Sequence, residues 1–184
     1  MPEMNLGRLG GVAGAVGGVL WCLRVALDGF GGDPAAFAGR LLFVVPLLFC
    51  AGLAGFYVLY SARMRGEGRA GFVQSFVGLG FLAAGFFADL TLGIEEGVRI
   101  SSFGFIILTL GLVVLGFATL KTEPLYMWNF LPLAIGMLTL LNVIAGAYDL
   151  LRILISAIFG LGWLAWGILI LVDPRETGEN IPVK

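Results

Sequence analysis

Histidine is missing from all 184 residues. Its absence removes the usual protein ligand of haem, copper and di-iron centres and the base of a Ser-His-Asp triad. Cysteine occurs twice, as Cys22 and Cys50, each inside an apolar run. Two such residues make neither a disulfide framework nor a zinc spacing and read as small buried side chains. Charge is scarce too: 12% of residues are Asp, Glu, Lys or Arg, against about 25% in soluble domains. The formal net charge is −1 and no long basic block occurs, so the clustered cations that a nucleic-acid partner needs are lacking. Nor does any stretch supply a nucleophile paired with a base, a phosphate-binding Gly-Lys loop or a metal-ligand cluster. The sequence therefore predicts a protein that is not an enzyme, carries no cofactor or metal and binds no nucleic acid.

What the sequence has is apolar residues, 59% of the chain, with a mean hydropathy of +1.01. They fall into separate runs near the roughly 20 residues that a helix needs to cross a bilayer. The expected class is an all-α polytopic membrane protein, with residues 1–184 as a single transmembrane domain. Its six expected spans are 9–27, 41–62, 72–92, 103–120, 130–147 and 151–172. The first reads as an uncleaved span, because Trp21 stands where a lipoprotein signal takes a small residue before Cys22. Asp28 to Arg40, the basic stretch Arg63 to Gly71, and Gly93 to Arg99 read as connections. Phe130 to Val172 is almost unbroken in apolar character and would run about 64 Å as one helix, twice the hydrocarbon thickness. The charged pair Asp149 and Arg152 locates the expected turn.

With six spans both termini share a side. Arg8, Arg63, Arg65, Arg69, Lys121, Arg175 and Lys184 fall on that side, and Arg24, Arg40, Arg99 and Arg152 on the other. The asymmetry predicts a multi-pass plasma-membrane protein with cytoplasmic termini. Tyr57, Tyr60, Tyr126 and Trp128 read as interfacial anchors.

One stretch recurs. G-L-G-F-L-A-A-G from Gly78 to Gly85 returns as G-L-G-W-L-A-W-G from Gly160 to Gly167, identical at six of eight positions, and Pro46 has a counterpart in Pro132. Three spans per half reverse the second half, so a duplication here predicts a 3+3 inverted-topology repeat. The proline pair is 86 residues apart and the glycine pairs 82, which places a loss of four in the connection between spans five and six. The first and fourth spans match poorly.

Gly10, Gly14 and Gly18 recur every four residues, and Gly78, Leu82, Gly85 and Asp89 share one helix face, as do Gly160 and Gly167. Such faces let a second backbone approach closely. The alternative is a glycine-lined solute path. Ionisable and amide groups in the spans are few. Arg24 either snorkels to the headgroups or holds a fixed positive charge, paired with Asp28 or Asp89. Asp89 reads as a capped or paired helix end, or else as a cation or proton site. Asn142 reads as a bond to another helix, and Asp149 with Arg152 as a solvated turn. Ser75, Thr109, Thr139 and Ser156 are expected to bond back to helix carbonyls. Trp163 and Trp166 lie deeper than an aromatic belt and read as fillers, with Trp166 able to wall a cavity.

Two functions are weighed. The first is a non-enzymatic membrane protein acting through helix contacts as an accessory or assembly subunit, its partners being the lipid bilayer, another membrane protein or a second copy. The second is a small-solute or ion transporter or channel built on the inverted repeat, using Arg24, Asp28, Asp89, Asn142, Asp149 and Arg152. A polar cavity reaching mid-depth favours transport; a dry bundle with an exposed small-residue face favours the partner role.

Overall fold

A computed structural model describes residues 6–29, 37–64, 66–122, 128–144 and 149–172. Among them are six helices: α1 (Leu6–Gly29), α2 (Phe37–Tyr60), α3 (Gly66–Leu92), α4 (Glu96–Thr122), α5 (Leu131–Ile144) and α6 (Asp149–Val172). Five of them, all but α5, are long and apolar enough to cross a membrane. The chain is a helical protein of the membrane type.

Most helices outrun the apolar stretches that announced them. α3 begins at Gly66 instead of Phe72, and α4 at Glu96 instead of Phe103. A run of apolar residues marks the depth of hydrocarbon, whereas a helix continues wherever its backbone bonds do. The expected connections shrink accordingly. That between α3 and α4 is Gly93 to Glu95, with Gly93 at φ 64° and the Ile94 N–H donating to the Ala88 carbonyl at 3.0 Å. A left-handed residue at a helix end favours glycine. The break expected between spans five and six falls close to its expected place: α5 ends at Ile144 and α6 begins at Asp149, residues 145–148 lie outside the described ones, and Asp149 and Arg152 both belong to the first turn of α6. An acidic residue at a helix start suits the positive end of the dipole, so charge there marked a beginning and not a loop.

Each helix packs on its neighbours in sequence, and α6 closes the ring on α1; α3 with α4 is the most extensive pair. Glycine sets four of these seams, one of them between α4 and α5, where a Cβ on Gly116 would strike the Leu133 backbone. A Cβ built on Gly10 would sit 2.5 Å from the Gly55 Cα, and one on Gly52 would sit 2.9 Å from the Gly14 Cα, between α1 and α2. Between α1 and α6, a Cβ on Gly18 would meet the Leu164 nitrogen at 2.5 Å and the Gly160 carbonyl at 2.6 Å, and one on Gly167 would strike Ala15 and the Gly11 carbonyl. Between α3 and α4, Gly78 lies against Leu108 and the Gly104 carbonyl, and Gly85 against Ser101 and the Gly97 carbonyl. Gly14 is the looser case, with the Gly52 and Gly167 Cα atoms at 3.5 and 3.6 Å from its built Cβ.

Aromatic rings fill the space that α1, α2 and α6 enclose. Phe49 stacks on Trp163 with centroids 4.2 Å apart, and Trp163 on Trp166 at 5.2 Å. Phe56 meets Trp166 edge-on, and Trp21 meets Phe159 edge-on. Lipid is as apolar as these side chains, so close dispersion contact and not exclusion from water holds such a core together. Leu23, Val44, Phe76, Leu110, Leu141 and Ile158 point outward, as a lipid-facing surface requires.

Candidate functional site

Polar contacts inside the bundle gather where α1, α5 and α6 meet. Ser156 is their hub. Its hydroxyl accepts the Asn142 amide at 2.7 Å, and its carbonyl accepts the Trp21 indole N–H at 3.0 Å. Cys22 Sγ makes a weak contact with the neighbouring Ala157 carbonyl at 3.5 Å. The Arg24 guanidinium carbon lies 5.3 Å from the Trp21 ring centroid, within cation–π range. Asn142 thus bonds across to another helix. Ser156 departs from expectation, since its hydroxyl joins α5 to α6. Trp21 is the member that sequence reasoning missed as a site residue. Its partner lies 135 residues away, and no local pattern announces such a bond.

Asp89 stands apart from this cluster. Asp89 continues the α3 face that turns to α4: a Cβ on Gly97 would sit 2.5 Å from the Asp89 nitrogen. The carboxylate therefore stands beside the start of α4, where the helix dipole favours an acid. Among the described residues no ion pair joins it to Arg24. Arg152 is exposed on α6, one turn before Ser156. Asp28 and Asp149 lie in α1 and α6, and their side chains are outside what the structure describes.

The interior hydroxyls turn back on their own helices. Ser75 donates to Gly71, Thr109 to Phe105 and Thr139 to Ile135, each at 2.8 Å. Thr119 does more. Its hydroxyl lies 2.8 Å from the carbonyls of both Gly116 and Asn129, tying the end of α4 to the approach of α5. Thr119→Val keeps the shape and deletes the donor. It should cost about 1 kcal/mol, the net worth of one buried hydrogen bond, read as a lower midpoint in a denaturation titration. Trp163 and Trp166 are each 1% exposed, and their indole N–H groups have no acceptor among the described residues. Trp166 is packed into the ring stack.

A cavity of about 560 Å³ lies at the opposite end of the bundle, lined by Arg63, Gly66, Glu67, Ala118, Lys121 and Thr122. Lys121 donates to the Glu67 carboxylate across it at 2.8 Å. None of the six expected transport residues is among the described residues that line it. These side chains were missed because each looks like an ordinary solvated helix end. Only the antiparallel pairing of α3 with α4 sets them face to face. Among the described residues no three His, Cys, Asp or Glu side chains group to hold a metal ion. Comparison of the chain with protein-family models, curated proteins and solved structures finds no match.

Proposed function

We propose that this is a non-enzymatic plasma-membrane protein of six crossings with cytoplasmic termini, which acts through its outer helix surfaces as an accessory or assembly subunit. Its partner is another membrane protein or a second copy of itself. The observation that carries this reading is the filling of the interior. Mid-depth is occupied by stacked rings and glycine seams, the hydroxyls of Ser75, Thr109 and Thr139 are spent on their own helix carbonyls, and the cavity described above sits at one end. The glycine faces on α1 and α6 are consumed within the bundle, so the partner surface has to be sought outside it. On α3, Gly80 and Ala84 are exposed at a spacing of four, and a Cβ on Gly80 would meet nothing within 4 Å. That outward small-residue pair fits a second helix.

Chain direction supports six crossings. α3 and α6 each pack antiparallel on a partner, α4 and α1 respectively, and α1 and α3 run the same way on either side of α2. α4 and α6 therefore run in one direction, and the chain has to return between them through α5. α5 itself, at 14 residues, spans about 21 Å, short of the roughly 30 Å of hydrocarbon. Orientation is supported by Arg8, Arg63, Arg69 and Lys121 at one end and Arg24, Arg99 and Arg152 at the other.

The inverted repeat has support that sequence comparison does not supply. In α3·α4, Gly85 faces the Gly97 carbonyl and Ser101. In α6·α1, Gly167 faces the Gly11 carbonyl and Ala15. Gly104 faces Leu82 and the Gly78 carbonyl, while Gly18 faces Leu164 and the Gly160 carbonyl. Every α6 residue here is its α3 counterpart displaced by 82, and every α4 residue its α1 counterpart displaced by 86, the spacing of Pro46 and Pro132. The register does not extend to α4·α5. Gly14 and Gly52 would correspond to Ile100 and Leu138, which are too large for that approach, and α5 instead sets Gly136 on Leu112 and Val113.

The test is size and companionship in mild detergent. The tagged protein should elute with a stoichiometric companion or as a defined oligomer, and Gly80→Leu should release it without lowering thermal stability. Because inverted repeats are a transporter architecture, solute transport stands as the second reading. A monodisperse monomer whose vesicles carry solute flux, abolished by Arg24→Gln or Asp89→Asn, would replace the first reading with the second.

A further inference from the structure

The cavity lies between the start of α3 and the end of α4. Among the described residues its lining offers two cations, Arg63 and Lys121, one acid, Glu67, and the small residues Gly66 and Ala118. We propose that it binds the phosphodiester headgroup of an anionic phospholipid. The acid is no obstacle. Glu67 and Lys121 are 66% and 67% exposed, and an exposed pair of this kind contributes little and yields to a competing anion. Phosphate would take Lys121 as a point charge and Arg63 as a two-pronged donor. The Thr122 hydroxyl already donates to the Ala118 carbonyl at 2.9 Å, so among the described residues the headgroup falls to Arg63 and Lys121.

A lipid fits better than a free anion because the site is amphipathic along the helix. Phe117 and Val114 stand four and seven residues before Lys121, on the same face of α4, and are 54% and 36% exposed. A phosphate held by Lys121 would therefore lay its acyl chains over exposed apolar side chains one and two turns deeper. Cations clustered at the polar boundary of a bundle are the usual electrostatic basis of anionic lipid binding. The site needs only that the helices sit in a bilayer, whatever role the bundle plays there, so it can fail while the accessory role stands.

The experiment is native mass spectrometry of the full chain, released from micelles containing equal phosphatidylglycerol and phosphatidylcholine. The expected result is a several-fold preference for bound phosphatidylglycerol, reduced to parity in Arg63→Gln/Lys121→Gln and raised in Glu67→Gln. Helical circular dichroism confirms that the variants fold. Should the double variant fail to fold, added salt on the wild type serves instead and should erode the preference by screening. Equal retention of both lipids by the wild type overturns the site, as does a preference that survives the loss of both cations. Complete displacement of lipid by millimolar inorganic phosphate overturns the lipid as occupant and leaves a free-anion site.

Discussion

Gly85→Ala should destabilise the bundle by about 1–3 kcal/mol, the usual cost of overpacking a well-filled contact, and Gly167→Ala should do so by a similar amount. In each case the new methyl lands on the backbone of the facing helix, at Ser101 and the Gly97 carbonyl or at Ala15 and the Gly11 carbonyl. A side chain in the way could rotate aside. A backbone cannot, so the whole helix must back off and surrender contact along the seam. Two neighbouring substitutions act as controls. Gly14→Ala meets only ordinary contacts at 3.5 and 3.6 Å, and Gly80→Ala meets nothing within 4 Å. Both should be neutral or gain a few tenths up to about 1 kcal/mol from the better helix former. Unfolding in a denaturing detergent, followed by circular dichroism, separates the four. If Gly85→Ala is costly and Gly167→Ala is not, the two seams are not equivalent and the inverted repeat loses its main support.

That comparison also explains what the chain reveals of its own fold. Separate apolar runs announce six helices, because a lipid-facing helix has to be apolar over its whole girth. The recurring Gly78–Gly85 and Gly160–Gly167 stretches point to α3 and α6 as relatives. Their partners α4 and α1 look unrelated in sequence, and the seams give the reason. Close approach requires only hydrogen at Gly97 and Gly104, or at Gly11 and Gly18. At the displacement of 86 the two stretches share Leu6 with Leu92, Gly7 with Gly93, Val12 with Val98 and those two glycine pairs, too little to stand out in so glycine-rich a chain. Helices extend past the expected spans where polar residues continue them, as at Gly66 and Glu96. The polar cluster was half legible. Asn142 stood out as an amide inside an apolar run, but its partner Ser156 and the Trp21 indole beside it are fixed by how three helices meet. The cavity at Arg63 and Lys121 was not legible, since exposed charges at helix ends carry no mark of what faces them.

Trp163→Ala should cost about 3–5 kcal/mol, the range for deleting a buried aromatic side chain. Trp163 is the middle of the stack, with Phe49 at 4.2 Å on one side and Trp166 at 5.2 Å on the other. Its removal leaves a void that neither neighbour can close without breaking its own contacts. Trp166→Phe should behave differently. It deletes an indole N–H that is buried without an acceptor among the described residues, and such a donor costs about 1–3 kcal/mol to keep. Against that relief stands a smaller ring and a cavity term of roughly 1 kcal/mol. The two nearly cancel, so the variant should unfold within about 1 kcal/mol of the wild type or slightly above it. A loss for Trp166→Phe approaching that of Trp163→Ala would mean that the indole donates to something in the folded protein. Water or a solute held among the rings would be the natural acceptor, and the filled interior that favours the accessory role over transport would no longer be filled.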